Sequence, residues 1–320
     1  MKIILTGGCG YVGTLLTRRL LKEGNRVVVI DIMWFGNYLE EHPNLTVIEA
    51  DVRDTDKIPM DGVDAIIHLA NIANDPTGDL DSKLTWEVNV LATKTLVEKA
   101  IEHGVKQFIY ASSGSVYGVK DEPQVTEDLS LVPISDYNKT KMISERVLLS
   151  YRDQITIQCI RPATVCGYSP RMRLDVSVNL LTMSALKNGK ITVFGGDQTR
   201  PNIHILDLVE VYCHFLKLGD SIDGIFNAGF ENLSILEIAQ WVQKRVPSEI
   251  VVTESNDPRS YRLCSDKLLN TGFKPQYGVV QGIEEVVEKY TKGILKDTDM
   301  HYNMRVMKRV IPNSGLVFHI

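Results

Sequence analysis

The sequence predicts an α/β fold: a doubly wound parallel sheet carrying a smaller, discontinuous C-terminal α/β unit. Three observations predict it. Short runs rich in Val, Ile and Leu alternate with longer helical patterns through the first half of the chain. The first of these runs enters a glycine-rich turn that opens a helix. After Pro162 the rhythm changes, and turn clusters break the alternation. Apolar strands separated by helices argue for a parallel sheet covered on both faces.

The elements follow in order. Lys2–Thr6 reads as a strand, Val12–Glu23 as a helix and Arg26–Asp31 as a strand. Leu45–Asp51, Ala65–Ala70 and Gln107–Ser112 are short and β-branched, so they read as further strands. Helical periodicity covers Leu84–His103 and Asp136–Tyr151, and Ile155–Arg161 is another strand. Gly167-Tyr168-Ser169-Pro170 is a turn cluster. Beyond it come a helix near Val176–Lys187, a strand at Ile191–Phe194 and a helix near Leu206–Leu218. Gly224–Ala228 reads as a strand that returns to the main sheet, and helices at Leu233–Arg245 and Gly282–Tyr290 complete the second unit. The expected division is a first domain over residues 1–165 with a returning strand near 224–229, a second over 166–295, and a tail, 296–320, that docks on the body or meets a partner.

Composition narrows the function. The 320 residues suit two units at roughly 150 residues each. Lys and Arg number 35 against 40 Asp and Glu, a net charge of -5 that weighs against a nucleic-acid or membrane-surface partner. No apolar run approaches the ~20 residues of a membrane span, and Met1–Leu5 is too short for a signal peptide. The five cysteines are scattered, with no C-x-x-C pair, so neither a disulfide framework nor a metal site is expected. A reducing, cytoplasmic compartment is the expectation.

Chemistry enters with the glycine turn. Gly8, Gly10 and Gly13 fit the dinucleotide fingerprint, and Gly7, Gly10 and Gly13 fit its variant spacing. Such glycines allow a tight turn and close approach of a pyrophosphate to the helix N-terminus. Asp31 ends the next strand, near the spacing at which a carboxylate holds the adenosine ribose hydroxyls. An acid there favours NAD over NADP. Asp51-Val52 ends the third strand, where the carboxylate is a candidate partner for the adenine amino group. Ser112-Ser113-Gly114-Ser115 follows the fifth strand, and Tyr137 and Lys141 sit at i and i+4 on one helix face. A Tyr stabilised as phenolate by nearby positive charge can take a hydroxyl proton as hydride leaves.

These motifs, with Asp51-Val52-Arg53, His68-Leu69-Ala70, Asn89-Val90, Val116-Tyr117-Gly118 and Arg161-Pro162, resemble the extended short-chain dehydrogenase/reductase family, in its nucleotide-sugar epimerase/dehydratase branch. The resemblance runs to about Gly293. It implies a Rossmann domain for NAD(H) and a smaller domain for a nucleotide-diphosphate sugar. Ser113, Tyr137 and Lys141 would be catalytic, with Lys141 holding the ribose and lowering the Tyr137 pKa. Gly7, Gly10, Tyr11, Val12, Gly13, Asp31, Asp51, Val52, Leu69, Ala70, Asn89 and Ala163, with Tyr137 and Lys141, would line the cofactor. Thr164, Asn179, Arg200 and Arg259 would join Ser113 around the sugar nucleotide, the arginines on its diphosphate. The helices Leu84–His103 and Met142–Tyr151 lie where relatives pair into a homodimer.

The departures are informative. The family's 4,6-dehydratases carry an Asp-Glu pair where this chain has Gly114-Ser115, which disfavours dehydration. Thr164 replaces a common Asn, and Cys166 replaces an aromatic and reads as a packing thiol. The implied activity is oxidation of the C4 hydroxyl of a nucleotide-diphosphate sugar. The enzyme would be a 4-epimerase or a stand-alone 4-dehydrogenase/reductase, acting on hexoses or heptoses of surface polysaccharides. A non-catalytic dinucleotide sensor or scaffold on the same fold is the alternative. His68 and His204 read as structural histidines. Asp75, Asp79 and Asp81 read as a solvated loop, or as one that recognises sugar hydroxyls.

Overall fold

Seven parallel strands form the centre of the molecule in the computed structural model, which describes residues 1–254 and 260–312. They begin with β1 (Lys2–Thr6), followed by helix α1 (Tyr11–Lys22), β2 (Arg26–Asp31), β3 (Leu45–Glu49) and β4 (Ala65–His68). Two short helices, α2 (Asp75–Gly78) and α3 (Ser82–Trp86), lead through a π-turn at Glu87–Leu91 into α4 (Ala92–Glu102). Next come β5 (Gln107–Ala111), α5 (Asp136–Leu149), β6 (Thr156–Pro162) and the short β7 (Thr164–Cys166). Then follow α6 (Ser177–Asn188), β8 (Lys190–Phe194), β9 (Thr199–His204), α7 (Ile205–Leu218) and β10 (Gly224–Ala228). The chain continues through β11 (Glu231–Ser234), α8 (Ile235–Gln243), β12 (Glu249–Thr253), α9 (Asp266–Leu269), α10 (Val279–Thr291) and α11 (Asn303–Val310).

The sheet order is β10-β6-β5-β4-β1-β2-β3, every pair parallel, so β10 does return beside β6 as the sequence predicts. Both faces are buried because side chains alternate along each strand. Ile3, Leu5, Val27 and Val29 pack with Leu16 and Leu20 of α1 and Phe215 of α7. Ile4, Val28 and Ile30 face the other way, onto Leu96 and Val97 of α4 and Leu148 of α5. This is a doubly wound Rossmann-like sheet. Its strand order reverses between β1 and β4, and that crevice is where such sheets bind ligands.

Two sequence expectations are corrected. The helix predicted over Leu84–His103 starts earlier and carries the π-turn, where the Asn89 carbonyl accepts from the hydroxyls of Thr93 and Ser144. The helix predicted from Leu233 starts at Ile235. Ser234 and Glu237 form a capping box that fixes the first turn, and Leu233 pairs in β11. Of the two expectations for the tail, docking on the body is the one seen, with Met307 of α11 buried in the same core as Val88 and Ile72. Residues 313–320 of the tail lie outside the described residues. No described helix is long and apolar enough to cross a membrane.

Candidate active site

A cleft of about 610 Å³ opens at the carboxyl ends of the central strands. The β1–α1 turn forms its floor. Gly7 has φ +73°, and a Cβ there would meet the Ala70 amide nitrogen at 2.7 Å; a Cβ on Gly13 would meet the Gly7 carbonyl at 2.1 Å. Only glycine lets the turn close this tightly against α1 and the end of β4. Gly7, Gly10 and Gly13 line the cleft, so the variant spacing is the one that faces it, while Gly8 packs on Val29. Asp31 lines the same cleft and braces the turn: Cys9 N–H donates to its Oδ2 at 2.9 Å and Met33 N–H to its Oδ1 at 2.8 Å. Burial raises its carboxyl above the usual range.

Tyr11, Val12, Asp51, Val52, Leu69, Ala70, Ala163, Thr164 and Arg200, all named in the sequence reading, also line the cleft. Asp51 sits in an ion pair, with Arg53 Nη2 donating to its Oδ2 at 2.7 Å and Arg53 Nη1 reaching Glu87 at 2.8 Å. Two predicted residues do not line the cleft. Asn89 is fully buried: its Oδ1 accepts from Ile72 N–H, and its Nδ2 donates to the Ile72 carbonyl and to Thr140. Asn179 is likewise consumed. It accepts from Gly167 N–H at 3.1 Å and donates to Tyr11 Oη at 3.0 Å and the Arg173 carbonyl at 2.9 Å. Both amides hold backbone loops rather than a ligand, because a buried amide must spend its donors and acceptors locally. Arg259 lies outside the described residues.

Ser113, Tyr137 and Lys141 converge in the cleft. The Ser113 hydroxyl lies where it favours the Tyr137 phenolate. Behind Ser113 the donors are ordered by one carboxylate. Asp75 Oδ1 accepts from Asn138 Nδ2 at 2.9 Å and from Ser135 Oγ at 2.5 Å. The Asn138 Oδ1 is thereby left as acceptor for Ser115 Oγ at 2.5 Å. The single Ser115 hydrogen is spent there, so Ser113 donates to Ser115, 2.7 Å away, while Tyr137 is un-ionised.

Lys141, read as the group that holds the ribose and lowers the Tyr137 pKa, lies beside the phenol. Its Nζ is buried, donates to the Ala111 carbonyl at 2.5 Å, and lies 5.7 Å from the Tyr137 ring centroid. Burial pushes its pKa down to about 7. In the protein alone Tyr137 is pushed up to about 12: burial dominates, Asp75 adds to it, and the Ser113 hydrogen bond and the Arg173 charge oppose it. The side-chain cation that favours the phenolate is thus Arg173, paired at 2.9 Å with Asp175. The sequence reading missed Arg173, its neighbour Arg171, and Asn303, Met304 and Met307 of α11, all of which line the cleft. Two arginines in the Arg171-Met172-Arg173 stretch, just past the turn cluster, were the available signal.

The smaller candidates resolve simply. His68 bridges Thr6 and Thr93 and is held neutral by burial, its pKa lowered to about 3. His204 caps α7, accepting from Leu206 N–H. Of the acidic loop only Asp75 lines the cleft; Asp81 caps α3. Cys166 is a buried thiol raised by desolvation, no disulfide is present among the described cysteines, and no His, Cys, Asp and Glu group suited to a metal occurs among the described residues.

Lys141→Met is expected to stabilise the cofactor-free protein by about 1–2 kcal/mol while abolishing activity. Below pH 7 the ammonium is protonated folded and unfolded, and its full burial cost is present. As pH rises from about 7 toward about 10, the folded protein gives up the proton before the unfolded chain does, and that cost fades. Thermal melts of the two proteins should therefore differ most at and below neutral pH and converge toward pH 10. Equal melting at pH 6 would contradict it.

The comparisons agree with this geometry. A UDP-glucose 4-epimerase from Lactobacillus helveticus is 28% identical over 91% of this chain and 97% of its own length. The structure of a UDP-glucuronic acid 4-epimerase from Bacillus cereus, solved with NAD and a fluorinated UDP-glucuronic acid, superposes with a TM-score of 0.83 at 28% identity, over 92% of this chain and 100% of that one. A dTDP-glucose 4,6-dehydratase from Streptomyces venezuelae shares the fold, with a TM-score of 0.82 at 23% identity over 91% of this chain and 97% of its own. The family model described as NAD dependent epimerase/dehydratase matches residues 3–229. That stretch begins at the strand that feeds the glycine turn and ends just past the returning β10, and it makes this chain a member of the NAD dependent epimerase/dehydratase family, an enzyme with NAD as its cofactor.

Proposed function

We propose that this enzyme is a 4-epimerase of a nucleotide-diphosphate sugar. The observation that carries the reading is Ser113 and Tyr137 lining the dinucleotide cleft together, with Ser113 followed by Gly114 and Ser115 rather than by two acids. The carboxylates that line this part of the cleft are already engaged. Asp75 accepts from Ser135 and Asn138, and Asp175 is held below the usual range by Arg173 and the Asn303 N–H. Neither is left free to act on the sugar, which counts against a dehydratase. Two relatives at 28% identity being 4-epimerases supports the same choice.

Bound NAD supplies the acceptor for the C4 hydrogen and a positive ring that adds to Arg173 in favouring the phenolate. Tyr137 then takes the C4 hydroxyl proton, and Ser113 holds the same oxygen. The buried Lys141 donates to the Ala111 carbonyl and keeps the floor beside Tyr137 ordered. When the carbonyl is reduced from its other face, Tyr137 returns the proton. The same phenol serves both directions, so no second acid is needed.

Incubation of the NAD-loaded protein with UDP-glucose and with UDP-glucuronic acid, products resolved by NMR, tests the reading. The expected result is an equilibrium mixture of C4 epimers of one of them with no net NADH. Stoichiometric NADH would make the enzyme a dehydrogenase, and a product lighter by one water would make it a dehydratase.

A further inference from the structure

Arg171 is a buried cation that the protein does not balance. It sits in the loop between β7 and α6 and is 3% exposed. Among the described residues it forms no salt bridge. Its Nη2 donates to Asn303 Oδ1 at 2.6 Å, its Nη1 reaches only the neighbouring Met172 carbonyl at 3.3 Å, and its buried Nε has no partner. Five N–H donors are available and two are used. The next cation along, Arg173, already has Asp175, and its charge repels Arg171. A buried charge with neither counter-ion nor full hydrogen bonding is costly, and it lines the cleft. An anion is the missing partner.

Its surroundings select which anion. The guanidinium stacks 3.9 Å from the centroid of Phe35, in the segment that follows β2, and it senses the charge of Asp31. The loop that carries it is tied to the first turn of α1, where Tyr11 Oη donates to the Gly167 carbonyl at 2.6 Å. These are the elements around the diphosphate and adenosine ribose of a dinucleotide rather than those around Tyr137. A guanidinium fork matches paired phosphate oxygens. Its one strong partner, Asn303, opens α11, and Met304 and Met307 of the same helix line the cleft.

We propose that Arg171, positioned by Asn303 of the C-terminal helix, binds the diphosphate of the bound dinucleotide, and that this helix closes the cleft so that the cofactor stays on the protein between turnovers. The inference rests on the cleft being the dinucleotide site. A sugar nucleotide also carries a diphosphate, and the test separates the two sources.

NAD and UDP are titrated calorimetrically into the cofactor-stripped wild type, Arg171→Met and Asn303→Ala, and the stripped proteins are melted. Arg171→Met should weaken NAD by about 10- to 100-fold, the loss expected for a hydrogen bond to a charged group, and leave UDP unchanged. Asn303→Ala should weaken NAD by a smaller factor and speed its release. The melting temperature of Arg171→Met should hold or rise, because an unbalanced buried cation is gone; a purely structural arginine would lower it. Unchanged NAD affinity in Arg171→Met overturns the proposal, and so does a loss confined to UDP, which would assign the arginine to the sugar nucleotide. A wild type that binds no dinucleotide would overturn the cofactor reading along with it.

Discussion

Tyr137→Phe is expected to lower turnover by about 10²–10⁴-fold, the range for removing a general acid–base group, with dinucleotide affinity left close to that of the native protein. The substitution deletes one oxygen and keeps the ring beside Lys141. Ser113 still has Ser115 as acceptor for its hydrogen, so no buried donor is stranded and stability should hold within about 1 kcal/mol. Because Tyr137 is pushed up to about 12 in the protein alone, the native rate should climb with pH as the phenol ionises more readily, and the residual rate of the variant should be flat. Initial rates across pH, with calorimetric NAD binding on the same samples, check both halves. Undiminished turnover with intact binding would remove Tyr137 from the chemistry and favour a binding role for the whole cleft.

The central sheet was legible because strands buried on both faces leave continuous apolar runs, as in Ile3-Ile4-Leu5 and Val27-Val28-Val29-Ile30. The second unit was less so. β9 reads Thr199-Arg200-Pro201-Asn202-Ile203-His204, and its polar side chains and proline conceal a strand that pairs with β7 on one side and β11 on the other. β12 is half exposed and, among the described residues, pairs only with β8; its apolar run, Ile250-Val251-Val252, is short. Local signals decide local structure, and these strands are fixed by partners far along the chain.

The site divides in the same way. The nucleotide turn was readable because backbone geometry demands glycine at fixed spacings, and Tyr137 and Lys141 because a helix places i and i+4 together. Arg171, Arg173 and Asn303 enter through a loop and a tail more than a hundred residues from the glycine turn, with no periodicity to mark them. Asn89 and Asn179 mislead in the opposite sense. The family resemblance assigns them to a ligand, but their amides are saturated by backbone groups that a sequence does not reveal.

The largest loss of stability is expected from Arg161→Leu, at about 3–5 kcal/mol, the cost of stranding a buried charge by removing its partner. Arg161 on β6 is 2% exposed and Glu145 on α5 is fully buried. Arg161 Nε donates to Glu145 Oε1 at 2.8 Å and Nη2 to Oε2 at 2.6 Å, a fork-on-fork pair. The network extends both ways. Ser112 Oγ donates to the same Glu145 Oε1 at 2.5 Å, and Arg161 Nη1 donates to Tyr117 Oη at 2.6 Å. Tyr117 in turn donates to Asn227 on β10 at 2.8 Å. One ion pair therefore ties α5, the end of β5 and the returning strand together directly beneath Ser113. Leu at position 161 leaves the carboxylate of Glu145 with only the Ser112 hydroxyl and shifts the strand end that presents Ser113, so activity should fall even at temperatures where the fold survives. Adding Glu145→Leu removes the stranded charge and should recover part of the lost stability, though not the activity, because Ser112 then has no acceptor. Thermal melts of the two single variants and the double variant decide the point: if Arg161→Leu melts with the native protein, the pair contributes nothing and the ordering of the Ser113 end must have another source.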